Sequence, residues 1–237
     1  KSKKTNEKKK KYLMIPIVVQ ARMDSRRLYG KVLMPITGGC ALSHLLDRLF
    51  LTEMKVIVAT TNRDTDKPLQ MFCEHYEIDA FYGAVEIPKR LWSVAEINNA
   101  DHIVRVTADD ILVDPDYLKM AVREHVENGA DFTHIPKLPK GFDCEVISRN
   151  ALLELMKIDS ETEYIGKILK DKTVFKVHEV EVPKRHRRRF NYELNEYKDL
   201  KKLRELFSDL FSNHSPPFCL DHVIEYLDYQ KSKEKVR

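Results

Sequence analysis

No stretch of this chain is rich enough in proline, glycine and serine to read as a linker, and no apolar run approaches the length that crosses a bilayer. The first absence points to one domain of 237 residues whose 43% hydrophobic content allows a sizeable core. The second argues against membrane insertion. The apolar run from Leu13 to Val19 is brief and passes straight into charge, so no secretory signal is legible. Cys40, Cys73, Cys144 and Cys219 are too scattered for a metal site or a paired framework, which makes a reduced, cytoplasmic setting the default. Both common glycine-rich phosphate signatures, G-x-G-x-x-G and G-x-x-x-x-G-K-[ST], are also missing.

An excess of charge of one sign is missing too, once its source is located. The net charge of +4 arises in "KSKKTNEKKKK", residues 1–11, which carry seven lysines and one glutamate. The remainder holds 34 basic and 36 acidic residues, so a polyanion-binding fold is not indicated and no nucleic-acid partner is expected. Residues 1–11 read as a disordered lysine-rich tail and residues 12–237 as a single domain. The second basic cluster, "KRHRRRF" at 184–190, lacks the interleaved aromatics of an RNA site; it reads as an exposed connection or as a hold for a carboxylate or pyrophosphate.

What is present is an alternation of strand and helix. Leu13 to Gln20 is a continuous apolar run suited to the centre of a parallel sheet. Ala41 to Phe50 places leucines at helical spacing, and "VIVA" at 56–59 is a second buried strand. Asp66 is placed to cap a helix through His75; Ala80 to Tyr82 is a short strand, "PKRLWSVAEINNA" an amphipathic helix, and His102 to Val106 a further strand. "DPDYLKMAVREHVENG" is a punctuated helix, with Asp114 as N-cap, Pro115 at the first position and Gly129 past the end. Beyond Gly141 the pattern loosens: "CEVI" is a strand, 150–157 a helix, 173–182 an alternating strand, and two helices near 199–210 and 220–229 close the chain. This order implies right-handed crossovers and a doubly wound α/β fold.

Ligands of such sheets sit beyond the carboxyl ends of the strands where strand order reverses. "RMDSRRLYGK", residues 22–31, lies at the carboxyl end of the first strand. Arg22, Arg27 and Lys31 as cations, Ser25 as a hydroxyl donor and Gly30 as a flexible point can surround a triphosphate; a solvated charged turn is the alternative on spacing alone.

"QARMDSRRLYGKVLMPI" resembles the Q-A-R-M-x-S-x-R-L-P-G-K-V-L opening of the spore-coat-polysaccharide-type cytidylyltransferases, relatives of enzymes that activate acidic sugars as CMP conjugates. The likeness continues through "VIVATTNRDTDKPL", "FYGAVEIPKRLWSVAEINNADHIVRVTADDILVDPDYL", "GFDCEVISRNAL", "NEYKDLKKLREL" and "CLDHVIEYLD", from about Leu13 to Tyr229. The resemblance implies a Rossmann-like three-layer α/β/α fold of the nucleotide-diphospho-sugar transferase type with a mostly parallel sheet. It implies an enzyme that moves CMP from CTP to a sugar or related hydroxyl, releasing pyrophosphate, with Mg²⁺ as cofactor and a homodimer as the assembly.

Carried over by position, Arg22, Ser25, Arg27 and Lys31 are the implied triphosphate set, with Arg22, Lys31 and Asp109 catalytic. Gln20 and Ala21 lie near the nucleoside, and Gly83, Ala84 and Arg90 fall in the segment that closes over the base. Asp109 is the implied metal aspartate, where a carboxylate-held Mg²⁺ neutralises charge building on the α-phosphate. Asp110 reads as solvent-facing. Asp143 and Glu145, alternating acids on one strand face, match the acceptor segment; a polar solvent-side face is the plain alternative.

Three departures set this chain apart. Asp24 stands among the phosphate cations and Tyr29 replaces a proline. Asn195 falls where a second metal aspartate is expected; its carbonyl can ligate but brings no charge, so Mg²⁺ should bind more weakly unless Glu193 or Glu196 substitutes. "SETEYIGKIL" lacks the histidine and proline of the relatives' acceptor segment. A non-catalytic nucleotide-binding or assembly domain of the same fold is therefore the second reading.

Overall fold

The computed structural model describes residues 12 and 14–236, with side chains to Lys233; residues 1–11, read above as a tail, lie outside the described residues. The elements run β1 (Ile17–Gln20), β2 (Pro35–Ile36), β3 (Gly39–Cys40), α1 (Ala41–Phe50), β4 (Val56–Thr61), α2 (Lys67–His75), β5 (Ala80–Gly83), α3 (Ile87–Ile97), β6 (His102–Thr107), α4 (Pro115–Asn128), β7 (Phe132–His134), β8 (Glu145–Ser148), α5 (Arg149–Ile158), α6 (Ile165–Leu169), β9 (Val177–Glu179), α7 (Tyr197–Asn213) and α8 (Leu220–Val236). Short 3₁₀ turns occupy 31–33, 64–66 and 184–186.

Seven strands form the main sheet in the order β5-β4-β1-β6-β8-β7-β9. β5, β4, β1 and β6 are mutually parallel; β8 runs antiparallel to both β6 and β7, and β9 returns parallel to β7. Strand order therefore reverses at β1, which lies between β4 and β6. Register places Gln20 level with Ala59 and Thr107, so the loops leaving β1, β4 and β6 share one edge.

Side-chain alternation explains the three layers. Ile17 and Val19 of β1, Val58 of β4 and Val104 and Val106 of β6 face a core shared with α1, α2, α4 and α7. Val18, Ile57, Ala59 and Ile103 face the opposite core, filled by Leu91 and Val94 of α3, Leu152 and Leu155 of α5, and Ile165 and Leu169 of α6. Both faces of these strands are covered, which is why their sequences read as unbroken apolar runs. No described helix is long and apolar enough to cross a membrane. The four cysteines are unpaired.

Several elements differ from the sequence expectation. β1 begins at Ile17, and Leu13 lies outside the described residues. The alternating run at 173–182 pairs only over Val177–Glu179, because Asp171 turns the chain first: its carbonyl accepts from Val174 and Phe175, and its side chain from the Thr173 amide and hydroxyl. Asp143 precedes β8 and is not on the strand with Glu145; the carbonyls of Gly141 and Phe142 pair instead with the amides of Leu112 and Asp114. Asp66 stands at the N-cap of α2 but makes no capping bond, its carboxylate being turned elsewhere. Asp114 does cap α4, accepting from the amides of Asp116 and Tyr117, and Gly129 closes it at φ 56°.

Two buried polar residues tie the layers together. Arg48 of α1, 2% exposed, donates to the carbonyls of Val113 at 2.8 Å, Leu112 at 3.1 Å and Phe218. Burial pushes its guanidinium down to about 10. His125 of α4 is fully buried between the Thr133 hydroxyl (2.9 Å) and His102 (3.1 Å).

Burial, then the charges of His102 and His178, pushes the His125 imidazole down to about 3 from 6.5. The unfolded chain takes up this proton near pH 6.5 and the folded one only near pH 3, so stability is expected to fall as pH drops through that window. The slope contributed by one such group is at most about 1.4 kcal/mol per pH unit. Urea unfolding at pH 7.5 and 5.5 measures it. His125→Gln should flatten the difference, and an unchanged difference would remove His125 as its source.

Candidate active site

The loop that leaves β1 is closed on itself. Gly30 takes φ 68°, a left-handed conformation that glycine adopts without strain, and its amide donates to the Met23 carbonyl at 2.8 Å. The 3₁₀ turn that follows carries Lys31 inward until it is 5% exposed. Its ammonium lies 2.7 Å from Asp109 Oδ2 and 2.8 Å from the Leu194 carbonyl. Asp109 sits in the turn after β6, and its own carbonyl accepts from the Leu194 amide at 2.9 Å. The ends of β1 and β6 and the strap before α7 thus meet at one ammonium.

A cleft of about 590 Å³ opens there. Gln20, Ala21, Arg22, Ser25, Arg27, Lys31 and Asp109 line it, as do Arg26, Arg105, Thr107, Glu163 and Tyr164. Arg27 donates to Asn195 Oδ1 at 2.6 Å, and Arg22 stands 3.5 Å from Glu163 across the mouth. Asp24 divides its carboxylate between two arginines: its Oδ2 lies 2.7 Å from Arg63, just past β4, and its Oδ1 3.6 Å from Arg22. Tyr29 is 60% exposed and points out of the loop.

Gly83, Ala84 and Arg90 do not line the cleft. Arg90, 1% exposed, donates to the carbonyls of Ala84 (2.6 Å) and Val85 (3.1 Å), bracing the turn after β5 from within. Burial, reinforced by Arg22, lowers its guanidinium to about 10. Gly83 leaves room for the Phe81 ring, which a Cβ would strike.

A family model described as Cytidylyltransferase matches residues 16–209. The chain belongs to the cytidylyltransferase family. It is 30% identical over 185 residues to the spore coat polysaccharide biosynthesis protein SpsF of Bacillus subtilis, across 73% of this chain and 77% of that one. Among solved structures, a cytidylyltransferase from Leptospira borgpetersenii superposes with TM-score 0.83 at 24% identity, covering 92% of this chain and 95% of that one. A CMP:2-keto-3-deoxy-manno-octonic acid synthetase complexed with CTP gives TM-score 0.58 at 15% identity, covering 82% and 99%. The chain is thus a nucleotidyltransferase of the SpsF-like type with the Rossmann-like fold of that group.

Beside the cleft of this cytidylyltransferase, acids gather at the end of β6. Asp110 is not solvent-facing in the manner expected: its Oδ2 accepts from the Thr107 hydroxyl at 2.5 Å, while its Oδ1 is shielded and unpartnered. Burial, then the neighbouring Asp143, holds its carboxyl well above the usual range. Burial likewise raises Asp143, to about 7, with Glu145 and Glu193 adding to the effect. Glu145 itself is paired with Arg105 at 2.5 Å. No three His, Cys, Asp or Glu side chains among the described residues gather closely enough to hold a metal ion by themselves. Mg²⁺ takes one or two protein carboxylates and completes its shell with waters and substrate phosphates, so the carboxylates here suit it only alongside a nucleotide.

Arg105 was not singled out from sequence. It projects from β6, donates to Gln20 Oε1 at 3.0 Å and pairs with Glu145, a contact created by the β6–β8 register that sets residues 105 and 145 opposite each other. The "KRHRRRF" cluster lies apart from the cleft. His186 bridges the Tyr117 hydroxyl (2.7 Å) and Asp221 (2.8 Å), Arg187 pairs with Glu181 and Arg188 with Asp228, so these three are spent on packing α8 and the preceding turn.

Proposed function

We propose that the cleft binds CTP and transfers CMP to a sugar or related polyol hydroxyl, in making a precursor for cell-surface polysaccharide or glycan; the name of the Bacillus subtilis relative supports that setting. The convergence of Arg22, Arg26, Arg27 and Lys31 on one cleft, with Asp109 in contact with Lys31, at the strand-order reversal, carries this reading.

In this reading the β- and γ-phosphates lie against Arg22, Ser25, Arg27 and Lys31. Their cations take charge that grows as pyrophosphate leaves. Gln20 and Ala21 border the nucleoside, and Arg90 fixes the Gly83–Ala84 turn, which stands outside the cleft lining. Asp143, with Glu145 held by Arg105, faces the acceptor, whose hydroxyl oxygen bonds to the α-phosphorus, its proton passing to solvent, while the bridging oxygen departs with pyrophosphate. Asp109 is the carboxylate that would hold Mg²⁺, with the Asn195 carbonyl beside it. When bound, the ion supplies charge neutralisation at the α-phosphate oxygens. Positioning by fixed side chains is the protein's main contribution.

Pyrophosphate release with CTP, UTP, GTP and ATP against a panel of sugar and polyol acceptors tests the proposal. CTP-selective release with at least one acceptor is expected. Neither turnover with any acceptor nor thermal stabilisation by CTP with Mg²⁺ would exclude it. Stabilisation without turnover would favour the non-catalytic reading, which rests on Asn195, held by Arg27 at 2.6 Å, standing where an acid is expected. Asn195→Asp is expected to lower the Mg²⁺ concentration for half-maximal CTP binding by roughly tenfold, because a hard cation gains a second charged oxygen. Titration of Mg²⁺ at fixed CTP reads this directly, and no change would remove position 195 from the metal's surroundings.

A further inference from the structure

The sequence marks Asp66 as a helix cap, yet it caps nothing. It is fully buried. Its Oδ1 accepts the Met23 amide at 2.7 Å, and its Oδ2 accepts the Thr61 hydroxyl. Met23 belongs to the loop that carries the cleft cations, and its own carbonyl accepts the Gly30 amide. Both sides of residue 23 are therefore pinned, one to the end of β4 and the other across the loop. The cation beside Asp66, Arg63, stands 3.8 Å away and gives its short contact, 2.7 Å, to Asp24. Arg63 also donates to Thr61 Oγ1 at 3.2 Å, so one network joins the β4 end to two consecutive loop residues.

We propose that Asp66 is a positioning residue for the nucleotide site: through the Met23 amide it holds the loop in the shape that presents Arg22 and Arg27 to a polyphosphate. A buried carboxylate accepting a backbone amide makes a charge-assisted bond stronger than a neutral one, and it is directed. Its negative charge also lies among Arg22, Arg63 and Arg90, cations that would otherwise repel one another. Helix α2 forgoes its cap so that this side chain can serve the loop across the sheet edge. The proposal rests on the nucleotide reading above for the identity of the ligand and on the loop contacts for the role of Asp66.

The test compares the full chain with Asp66→Ala, Asp66→Asn and Thr61→Val. Calorimetric titration uses two probes, CTP with Mg²⁺ and inorganic triphosphate. Amide exchange is followed over residues 22–30. Asp66→Ala is expected to weaken both probes by about tenfold and Asp66→Asn by about threefold, since the amide oxygen still accepts from Met23 without the charge. Exchange over the loop should quicken in the same order, and the kinetic loss should fall on KM for CTP more than on kcat. The Asp66→Ala penalty should shrink in an Arg22→Ala background, because the two residues act through one loop. If Asp66→Ala does not fold, Thr61→Val, which frees the carboxylate from its β4 anchor, is expected to show a two- to fourfold loss of the same kind, roughly one hydrogen bond's worth.

Binding of both probes within twofold of wild type, whatever happens to melting temperature or exchange, overturns the proposal and leaves Asp66 a packing residue. If wild type binds triphosphate but not CTP, the nucleotide reading falls, and the triphosphate series decides Asp66. If wild type binds neither probe, both fall.

Discussion

Lys31→Met is expected to lower kcat/KM for CTP-dependent pyrophosphate release by roughly 10²–10³-fold, the cost of deleting one preorganised charge donor from an active site. The ammonium is 5% exposed and fixed by two contacts, Asp109 at 2.7 Å and the Leu194 carbonyl at 2.8 Å, so it need not reorganise when charge develops on departing phosphates. Methionine keeps an unbranched side chain one atom shorter and removes the charge. Asp109 then loses its counter-ion, and the strap at Leu194 loses its tie to the β1 loop. Lys31→Arg should restore little, because two acceptors converge on one compact ammonium and a planar fork presents its donors differently. Steady-state kinetics with CTP titration separates the terms, with kcat expected to fall more than CTP affinity. A loss smaller than tenfold would show that Lys31 is a structural lysine.

Arg48→Met is expected to cost about 3–5 kcal/mol of stability, the range for breaking a buried, fully engaged charged group. Three carbonyls, of Leu112, Val113 and Phe218, lose their only described side-chain donor together, and each buried acceptor left alone costs ~1–3 kcal/mol. For a chain of this length that corresponds to a melting temperature lower by roughly 6–20 °C. The effect should also reach the site, since Leu112 and Val113 follow Asp109 and Asp110 in the same turn. Urea unfolding gives the free energy. CTP affinity measured on the folded protein shows whether the turn after β6 has moved. A change below 1 kcal/mol would mean that water replaces the guanidinium at these carbonyls.

The helices and central strands were legible because their signals are local. The leucines of α1, the Asp-Pro start and Gly end of α4, and the apolar runs of β1, β4 and β6 each lie within a single continuous stretch of the chain, the longest running from Asp114 to Gly129. The run at 173–182 alternates throughout yet pairs over three residues, because alternation indicates which residues could face a core, and not where a turn at Asp171 will cut the pairing short. Likewise the aspartate before α2 has the composition of a cap, yet its carboxylate finds Met23 and Thr61, partners that sequence spacing does not reveal.

The candidate site divides in the same way. Arg22, Ser25, Arg27 and Lys31 could be named from a contiguous loop and Asp109 from the family resemblance, and the structure gathers them around one cleft. Arg105 lines it too, but nothing near it in the chain distinguishes it from surface charge. Arg105 acquires Glu145 only because β8 runs antiparallel to β6, and Arg27 meets Asn195 across 168 positions.

Residue order alone was thus enough to establish the strand–helix alternation, the cationic loop at the first strand's end and the family likeness. Each is written in short-range periodicity or contiguous motif. Which acid answers which base was settled by the folded sheet: Lys31 with Asp109, Asp24 with Arg63, Glu145 with Arg105. Ion pairs depend on distance in space and on exclusion of water, and both come into being only when strands far apart in sequence are brought into register.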